Sequence, residues 1–537
     1  MPLVVRNIPL GLDEPEELLL ERVARRLQVP RGAVSRYAVV RRSLDARRGR
    51  DIRFIFSVEL ALEGGPQADK RCLRRLHQRN VELIEPSPLP SVKPGDELLE
   101  HQPVIVGFGP AGMFAALRLV EYGYRPLVLE RGRDVRRRHR DVYEGFYRRR
   151  CFQPESNLLF GEGGAGAYSD GKVHTRVGNP AVGEVLATLC RFGADPDILI
   201  DSKPHIGSDR LPTICRRLRE HLQGQGAEIR FEARVTDFEV SPGRMAALRL
   251  GDERVPVDAV LLGIGHSARD TYDVLHRRGV RLEPKPFQFG VRVEHPQELV
   301  DGWQYGAAAG HPRLPAADYR LVAKGAAGTG QDLFSFCMCP GGTVLPTTES
   351  PGLIATNGAS RSSRNGPFAN SGLVITINPA ELGDGPLAGL EFQRRWERRC
   401  YEAAGGEYRI PVQRCSDFLA GRASDGELSL SYPLGGAWCQ IGAIMPHRVT
   451  NALVKGLPML AQKMPGFAGA EGIITAPESR ASAPLRITRD AASRQSVSAQ
   501  NLYPIGEGAG YAGGIVSAAV DGLRSAEAVI GRYRPPA

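Results

Sequence analysis

The amino-acid sequence predicts an α/β fold in which a split Rossmann-type nucleotide-binding domain encloses an inserted β-rich domain and follows a ferredoxin-like α+β domain. Three observations support this prediction: a glycine-rich strand–turn–helix at residues 104–132, a second glycine-rich turn at 501–524, and strands alternating with helices over residues 1–85. A chain of 537 residues is too long for one hydrophobic core, so several domains are expected.

The composition limits the classes of protein to be considered. Nine cysteines, scattered without a CxxC pair, argue against a zinc or disulfide framework and favour a reducing cytoplasm. The net charge of +10 permits anionic ligands without requiring nucleic acid. The N-terminus lacks the layout of a signal peptide, and no uncharged apolar run reaches the roughly 18 residues of a membrane span. We therefore expect a cytoplasmic protein without metal site or membrane partner.

Residues 1–95 are predicted to form a ferredoxin-like accessory domain and a proline-rich linker. The pattern β-α-β-β-α-β begins with a strand at 3–10, after which Asp13 is expected to cap the first helix. The excess of basic residues raises the question of RNA binding, which needs aromatic side chains on the open face of the sheet. Phe54 and Phe56 instead fall among the core-facing residues, which favours a solvated accessory domain over RNA binding.

The stretch VIVGFGPAGMFAALRLVEYGYRPLVLERG, residues 104–132, predicts a buried strand, a glycine turn, a helix, a second strand and an acid. Gly107, Gly109 and Gly112 form G-x-G-x-x-G: the first permits the tight turn, the second the approach of a pyrophosphate, the third the packing of helix on strand. Glu130 ends the second strand, where it can bind a ribose. This fingerprint suits FAD and NAD equally. The predicted contacts are Gly107, Gly109, Pro110, Ala111, Gly112, Glu130 and Arg131.

Two later stretches bear on the choice between these nucleotides. In residues 501–524 a strand leads to Glu507, a glycine-rich turn and a small-residue helix from about Gly514, a distant second half that NAD-dependent Rossmann dehydrogenases lack. Between the halves, DAVLLGIGHSARD at 258–270 is a hydrophobic strand that ends in glycines. It either returns the chain beneath FAD or forms, with Glu283, a second dinucleotide site for NAD. The first interpretation is favoured because another strand starts at once.

With these pieces the chain resembles the bacterial FAD-dependent dehydrogenase family, glutathione-reductase-like flavoproteins with a split FAD domain, over roughly residues 95–530. The further matching stretches are SNLLFGEGGAGAYSDGKVHTR (156–176), KPFQFGVRVEHP (285–296), FCMCPGG (336–342), ATNGASRSSRNGPFANSGLV (355–374) and ESRASAPLRITR (478–489). The resemblance implies FAD, a ferredoxin-like N-terminal domain and an oxidoreductase of undefined substrate. The chain departs from the family pattern at Glu507, where the wider superfamily has Asp, and in ESRASAP, which has fewer hydroxyl groups than expected.

The resemblance also implies FAD contacts beyond the first motif. The closing acid is expected to bind the ribityl chain, and the helix after it to point its N-terminus at the flavin pyrimidine. The segment 161–172 places several backbone N–H groups close together, which suits an anion or the flavin edge. The implied contacts are Gly161, Gly164, Ala165, Ser169, Lys172, Val235, Gly265, Gly506, Glu507, Gly513, Gly514 and Ile515. NADH or NADPH is a candidate transient electron donor.

Three residues are candidates for the chemistry itself. Cys337 and Cys339 point to the same side of a strand and could relay electrons from the flavin. A CxC disulfide in a strand is strained, so structural burial is the favoured alternative. Arg480, like Arg486, could hold an anionic substrate or the reduced flavin, or form a surface salt bridge. The polar face of the strand at 287–294 lines a substrate cavity or faces solvent.

The predicted domains are an accessory domain and linker at 1–95, the first part of an FAD-binding domain at 96–284, a substrate domain at 285–474 and the second FAD-binding part at 475–537. We expect an FAD-dependent dehydrogenase that transfers hydride to or from flavin N5, with a small-molecule substrate and a nicotinamide or protein electron donor. Two alternatives stay open. One is an RNA-modifying flavoprotein, and the other is an electron-transfer flavoprotein without its own small-molecule substrate.

Overall fold

The computed structural model describes residues 2–47, 49–76, 80–84, 91–175, 177–328 and 330–535. Residues 77–79, at the end of the second predicted helix, and 85–90, in the predicted linker, lie outside the described residues. Three large sheets organise the described chain: a four-stranded sheet near the N-terminus, a five-stranded parallel sheet and a seven-stranded sheet. In the described ranges no helix is both long and apolar enough to cross a membrane.

The N-terminal unit follows the predicted element order. Its elements are β1 Leu3–Gly11, α1 Leu18–Leu27, β2 Val34–Asp45, β3 Arg53–Leu62, α2 Gly65–Leu76 and β4 Val81–Leu83, with the antiparallel strand order β2–β3–β1–β4. The predicted cap at Asp13 is wrong. The Glu14 carboxylate instead closes a turn by accepting the Gly11 N–H at 2.6 Å, and the helix begins later, at Leu18.

The second unit alternates strands and helices. Its elements are β5 Val104–Val106, α3 Pro110–Glu121, β6 Leu127–Leu129, α4 Val135–His139, α5 Ala181–Arg191, α6 Leu211–Gly224, β7 Glu228–Arg230, β8 Asp237–Ser241, β9 Arg244–Leu250, β10 Glu253–Pro256, β11 Val260–Leu262 and α7 Arg269–Arg277. Strands β8, β9 and β10 form a separate antiparallel sheet. A π-helix at Arg140–Arg148 continues α4.

The third unit is rich in strands, and the chain then returns to the second. Its elements are β12 Leu282–Pro284, β13 Phe287–Pro296, α8 Gln297–Tyr305, β14 Val322–Gly328, β15 Gln331–Cys339, β16 Gly342–Pro346, β17 Thr356–Ser360, β18 Phe368–Ile377, α9 Ala388–Ala403, β19 Ile410–Arg414, α10 Cys415–Leu419, β20 Gly436–Trp438, α11 Ile441–Ile444, α12 His447–Lys463 and β21 Ile473–Glu478. The closing elements are β22 Leu485–Ile487, β23 Leu502–Pro504 and α13 Ile515–Ile530.

The parallel sheet joins parts of the chain that are far apart in sequence. Its strand order is β23–β11–β5–β6–β7, so the strand from the C-terminal region lies beside β11, which pairs with β5. All neighbouring pairs are parallel, and α3 and α13 pack against each other on the sheet. The position of β11 in this sheet excludes the second dinucleotide site, because Glu283 lies in β12, which pairs antiparallel with β22.

The seven-stranded sheet has the order β14–β15–β18–β13–β21–β19–β20. Strand β21 belongs to it, so the domain boundary predicted at 474/475 falls inside a strand, and the β-rich unit continues to residue 478. Phe287 and Phe289 on β13 pack in the core as predicted, but Arg292 and Glu294 on its other face are also buried. The interpretation of that face as solvent-exposed is therefore wrong.

Candidate functional site

Three glycine turns meet at one edge of the parallel sheet. They follow β5, β11 and β23 and cover residues 107–112, 263–265 and 506–514, which we call the glycine edge. Because the carboxyl ends of parallel strands lie at the same side of a sheet, neighbouring strands bring their following turns together. In open α/β sheets this is the position at which ligands bind.

Close backbone contacts explain several of these glycines. A Cβ on Gly107, which has φ +96°, would lie 2.3 Å from the carbonyl oxygen of Gly263. A Cβ on Gly112 would lie 2.0 Å from the carbonyl oxygen of Gly107, and one on Gly506 would lie 2.8 Å from the Cβ of Ala111. The three turns and the start of α3 are thus packed so tightly that the protein itself excludes larger residues here.

Other glycines of the edge have no such explanation. A Cβ on Gly109 would meet only the Cα of Gly164, at an ordinary 3.7 Å, and Gly109 has a backbone conformation that any residue adopts. A Cβ on Gly265, Gly513 or Gly514 would meet nothing within 4 Å, and all three residues are exposed. Open space therefore lies along the predicted pyrophosphate-binding turn and the turn before α13.

The loop at 161–166 forms one wall of this space. The Gly163 N–H donates to the carbonyl of Phe108 at 2.8 Å, and a Cβ on Gly164 would lie 3.1 Å from the Cα of Gly109. A Cβ on Gly166 would lie near Pro110 and Ile515, so this loop touches the starts of both α3 and α13. Ala165, at its tip, is exposed. The predicted FAD contacts of this loop thus lie beside those of the first motif.

Glu130 ties the first turn to that loop. Its carboxylate is buried and accepts the N–H groups of Phe108 at 2.8 Å, Gly132 at 2.8 Å and Gly161 at 2.9 Å. A carboxylate has about four acceptor positions, so about one is left for the ribose hydroxyl that the sequence predicts. Besides its predicted contact with the ribose, Glu130 therefore fixes the backbone of the first glycine turn against the loop at 161–166.

The start of α13 supplies a positive helix end to the glycine edge. Gly514 is its N-cap with φ +148°, and the helix continues for 16 residues from Ile515. The Gly513 N–H is 3.2 Å from Ser517 Oγ. The first N–H groups of a helix and its dipole favour negative charge, which suits a phosphate or an electron-rich ring.

Glu507, His266 and Lys285 bring titratable groups to the same edge. His266 Nδ1 lies 3.7 Å from Glu507 Oε1. Burial raises the pKa of Glu507 to about 7, although Lys285 opposes this, and burial lowers the pKa of His266 to about 3, helped by Arg480 and Arg269. A carboxyl group that titrates near neutral pH is suited to proton exchange. Sequence reasoning missed His266 and Lys285; their places in GIGHSARD and KPFQFG were the available signals.

The structure gives Lys172 and Ser169 other partners than a predicted flavin contact requires. Lys172 Nζ lies 3.0 Å from Asp170 Oδ2, 3.8 Å from Cys337 Sγ and 3.6 Å from Cys339 Sγ. Ser169 Oγ donates to the carbonyl of Gly166 at 2.8 Å. The loop at 161–172 therefore reaches from the glycine edge to the two cysteines, whose sulfurs both lie within 3.8 Å of Lys172 Nζ.

Arg480 belongs to a buried ion-pair cluster and not to an anion site. Its guanidinium binds the carboxylates of Glu349 and Glu397, which also bind Arg269 at 3.0 and 2.8 Å. All four side chains are buried, and two positive charges meet two negative ones. The predicted role of Arg480 toward an anionic substrate is wrong, because its charge is already balanced. Arg486 lies over the ring of Tyr511, and its Nε is buried without a hydrogen bond in the described chain.

The side chains of two other predicted FAD contacts, Arg131 and Val235, are occupied by interactions within the protein. The Arg131 guanidinium pairs with Glu155 at 2.7 Å and Asp270 at 3.0 Å, over the ring of Phe160. The side chain of Val235 is buried in the core beside the parallel sheet. Neither side chain is a free ligand-binding group in this structure.

Comparisons with known proteins bear on the whole chain. Residues 286–481 match the family described as FAD-dependent protein, C-terminal domain-like, and residues 3–61 match a domain of unknown function. An uncharacterized protein of Clostridium beijerinckii is 40% identical over 539 residues, which is 100% of both chains. The chain belongs to the same family as that protein, and its residues 286–481 are similar to the C-terminal domain of FAD-dependent proteins.

More distant similarities are weaker. The FAD-dependent monooxygenase nodY2 of Hypoxylon pulicicidum is 27% identical over 204 residues, 35% of this chain and 41% of that one. The crystal structure of CtdE in complex with FAD is 11% identical, covering 80% of this chain and 83% of that chain at a TM-score of 0.30. Glycine oxidase of Bacillus cereus is 10% identical, covering 80% and 95%, at a TM-score of 0.33. TM-scores this low carry no conclusion about this chain.

The residues at the glycine edge fit FAD. Gly109 and Gly513 are glycines that nothing in the described protein requires, and a missing Cβ is what a pyrophosphate needs to approach the backbone. Nε2 of His266 and Nε of Arg486 are buried without a hydrogen-bond partner in the described chain. A ligand that carries acceptors could satisfy such groups.

Proposed function

We propose that the protein is an FAD-dependent oxidoreductase whose split Rossmann-type domain holds the cofactor at the glycine edge. One observation carries the proposal: three glycine turns from distant parts of the sequence meet beside open space that the glycines keep free. The family match over 286–481 supports FAD as the cofactor. The β-rich unit is proposed as the substrate domain, and the N-terminal unit as a ferredoxin-like accessory domain.

Different parts of the glycine edge would bind different parts of FAD. The turn at 107–112 and the start of α3 would hold the pyrophosphate, and Glu130 a ribose hydroxyl. Glu507 would contact the ribityl chain, and the first N–H groups of α13 the pyrimidine. When bound, FAD supplies hydride acceptance and donation at N5. The tight packing of the three turns excludes water from the sheet side of this site.

Glu507 would move a proton. Its pKa of about 7 means that both forms are present at neutral pH, so it can take up or release a proton at Oε1. His266, with a pKa of about 3, stays neutral and keeps Nδ1 3.7 Å from that carboxylate. Because it stays neutral, His266 would not compete with Glu507 for its proton.

The binding part of the proposal is tested by replacing Gly109 with valine. The open space at this residue lets the variant fold, but its side chain occupies the place of the pyrophosphate. We expect Gly109→Val to be purified without FAD at unchanged thermal stability of the FAD-free form. The matched control is Gly302→Val, at another glycine with nothing within 4 Å, which lies in α8 of the β-rich unit. Stoichiometric FAD in Gly109→Val would refute this placement.

The catalytic part is tested by anaerobic absorbance titration of the FAD-loaded protein with NADH and with NADPH. Bleaching of the flavin by either supports a nicotinamide-linked oxidoreductase, and oxygen uptake with a candidate substrate then separates a monooxygenase from a dehydrogenase. If neither NADH nor NADPH bleaches the flavin, the result supports the electron-transfer alternative. Salt-sensitive tRNA binding that is lost on deletion of residues 1–95 would support the RNA-modifying alternative.

A further inference from the structure

A group of charged side chains surrounds the two cysteines. Asp170 Oδ2 binds Lys172 Nζ at 3.0 Å and Arg364 Nη2 at 3.1 Å, and Asp170 is 2% exposed. The same Lys172 ammonium lies 3.8 Å from Cys337 Sγ and 3.6 Å from Cys339 Sγ. Both sulfurs are thus held at one ammonium group.

The charges of this group do not cancel without a thiolate. Lys172 and Arg364 carry two positive charges against the single negative charge of Asp170. The adjacent Arg292 and Glu478 balance each other through two hydrogen bonds of 2.9 Å. The side chains of Lys172 and Arg364 are 25% and 14% exposed, so water screens part of this excess positive charge, and one ionised thiol would balance the rest.

The histidines near this group support the same conclusion. The pKa values of His174 and His205 are lowered, first by burial and then by the positive charges of Lys172 and Arg364. Neither histidine therefore adds a positive charge at neutral pH. Glu507 lies at the glycine edge, and its pKa is raised mainly by burial and in part by Cys337, so Cys337 is within electrostatic reach of that edge.

The contacts of the two sulfurs favour Cys339 as the one that keeps its proton. Cys339 Sγ lies 3.3 Å from the carbonyl oxygen of Cys337, and its one S–H group can be directed at that oxygen or at the Cys337 sulfur. The pKa of Cys337 is lowered, first by a hydrogen bond from Cys339 and then, against burial, by Lys172 and Arg292. The pair thus consists of a Cys337 thiolate and a Cys339 thiol.

The backbone is distorted at this pair. Cys337 has φ +44°, a left-handed conformation unfavourable for a residue with a Cβ, and the pairing of β15 with β18 slips between Phe336 and Cys339. A bulge re-aims side chains, and strain of this kind persists where function requires it. The regular strand on which the sequence argument against a CxC pair depended is absent here.

We propose that Cys337 and Cys339 form a redox-active pair that exchanges two electrons with FAD, with Lys172 holding Cys337 as the thiolate. The inference rests on the proposed function. The S–H bond of Cys339 breaks and an S–S bond forms between the two sulfurs. The two electrons and the proton pass to the flavin, which is reduced as the pair is oxidised. The reverse transfer restores thiolate and thiol. The pair thereby stores a second pair of electrons beside the cofactor.

Anaerobic dithionite titration of the full-length, FAD-loaded protein tests this directly. The protein is first oxidised with diamide, which is then removed, so that the titration starts from the Cys337–Cys339 disulfide. We expect the wild type to take up about twice the reducing equivalents per flavin of Cys337→Ser or Cys339→Ser. The matched control is Cys439→Ser, another partly exposed cysteine outside the group, which should behave as the wild type. Equal uptake by wild type and both serine variants, with FAD bound to all, would overturn the inference and leave the proposed function standing.

A second measurement does not need the cofactor. After mild oxidation with diamide, mass spectrometry of the FAD-free protein should find a Cys337–Cys339 disulfide. Before oxidation, iodoacetamide should label Cys337 first at neutral pH, and Lys172→Met should shift this labelling to higher pH. Slow labelling of Cys337 that Lys172→Met leaves unchanged would overturn the assignment of the thiolate. A chain that binds no FAD at all would refute the proposed function and with it the electron exchange.

Discussion

The glycine edge and the charged layer beside it are built in opposite ways. The glycine edge is formed by backbone, because its glycines lack a Cβ, and each of its turns spans only a few residues. The charged layer consists of long buried side chains, the cluster of Arg269 and Arg480 with Glu349 and Glu397 and the pair of Arg292 with Glu478. The partners of that last pair are 186 residues apart in sequence.

This difference determines how a substitution destabilises each region. At the glycine edge a substitution acts through volume, and its effect depends on whether the new Cβ meets protein or open space. In the charged layer a substitution acts through the charge that it leaves unpaired in a buried place. Four predictions test this contrast, in order of decreasing effect on stability.

The largest effect is expected where a glycine touches backbone. In Gly112→Ala the new Cβ would lie 2.0 Å from the carbonyl oxygen of Gly107, so β5 and α3 must separate. We expect a loss of about 4–5 kcal/mol or more in the free energy of unfolding, or insoluble protein. Gly183→Ala is the control, since it also lies in a helix but meets nothing within 4 Å. Urea denaturation measures both, and similar stability of the two variants would contradict the contact.

A smaller but still large effect is expected in the charged layer. Glu397→Ala removes a carboxylate that binds both Arg269 and Arg480, and leaves two buried cations with Glu349 alone. Breaking such a pair costs about 3–5 kcal/mol in chemical denaturation. Glu21→Ala breaks the exposed pair with Arg25 and should change stability little. An equal loss of unfolding free energy in the two variants would show that burial does not make the Glu397 ion pairs more important for stability than an exposed pair.

The third prediction concerns pH. The folded FAD-free protein holds the Glu507 proton up to about pH 7, whereas the unfolded chain releases it near 4.5. Stability therefore falls as pH rises from about 4.5 to about 7 and no longer changes through this group above that. In Glu507→Gln this fall should be smaller by at most about 3 kcal/mol. Urea midpoints across this pH range measure the difference; parallel profiles would contradict the raised pKa.

The smallest effect on stability is expected at Gly109. Its backbone suits any residue and a Cβ has room, so Gly109→Ala should change the free energy of unfolding of the FAD-free protein by less than about 1 kcal/mol. Its affinity for FAD should nevertheless fall. The comparison with Gly112→Ala separates a glycine kept for the fold from one kept for the ligand. Fluorescence titration with FAD checks this, and unchanged affinity would place the pyrophosphate elsewhere.

Much of the fold could be predicted because its signals are local. The strand, turn and helix at 104–121 and the β-α-β-β-α-β order of the N-terminal unit follow from periodicity and turn residues. The predicted resemblance to FAD-dependent proteins is supported by the match over 286–481. The cap at Asp13 was wrong because Glu14 competes for the same turn, and the boundary at 474/475 was wrong because β21 pairs with β13.

The candidate site was predictable only in part. The spacing of the glycines and Glu130 predicts a nucleotide-binding site. Arg480 and Arg131 offer no such signal, because an arginine carries the same charge whether it faces a ligand or a carboxylate. Their partners Glu397, Glu155 and Asp270 come from other elements, and no spacing links them. The predicted roles of the FAD contacts stay predictions until a complex with the cofactor is measured.

The sequence by itself determined the glycine turns, because each needs only neighbouring residues to set its backbone. It also determined that Cys337 and Cys339 lie close together, since they are two residues apart. Only the tertiary structure decided what surrounds them: Lys172 reaches them from a loop 165 residues earlier, and Arg292 and Glu478 pair across β13 and β21. The free energy of a buried charge depends on every group around it, and those groups come together only when the chain folds.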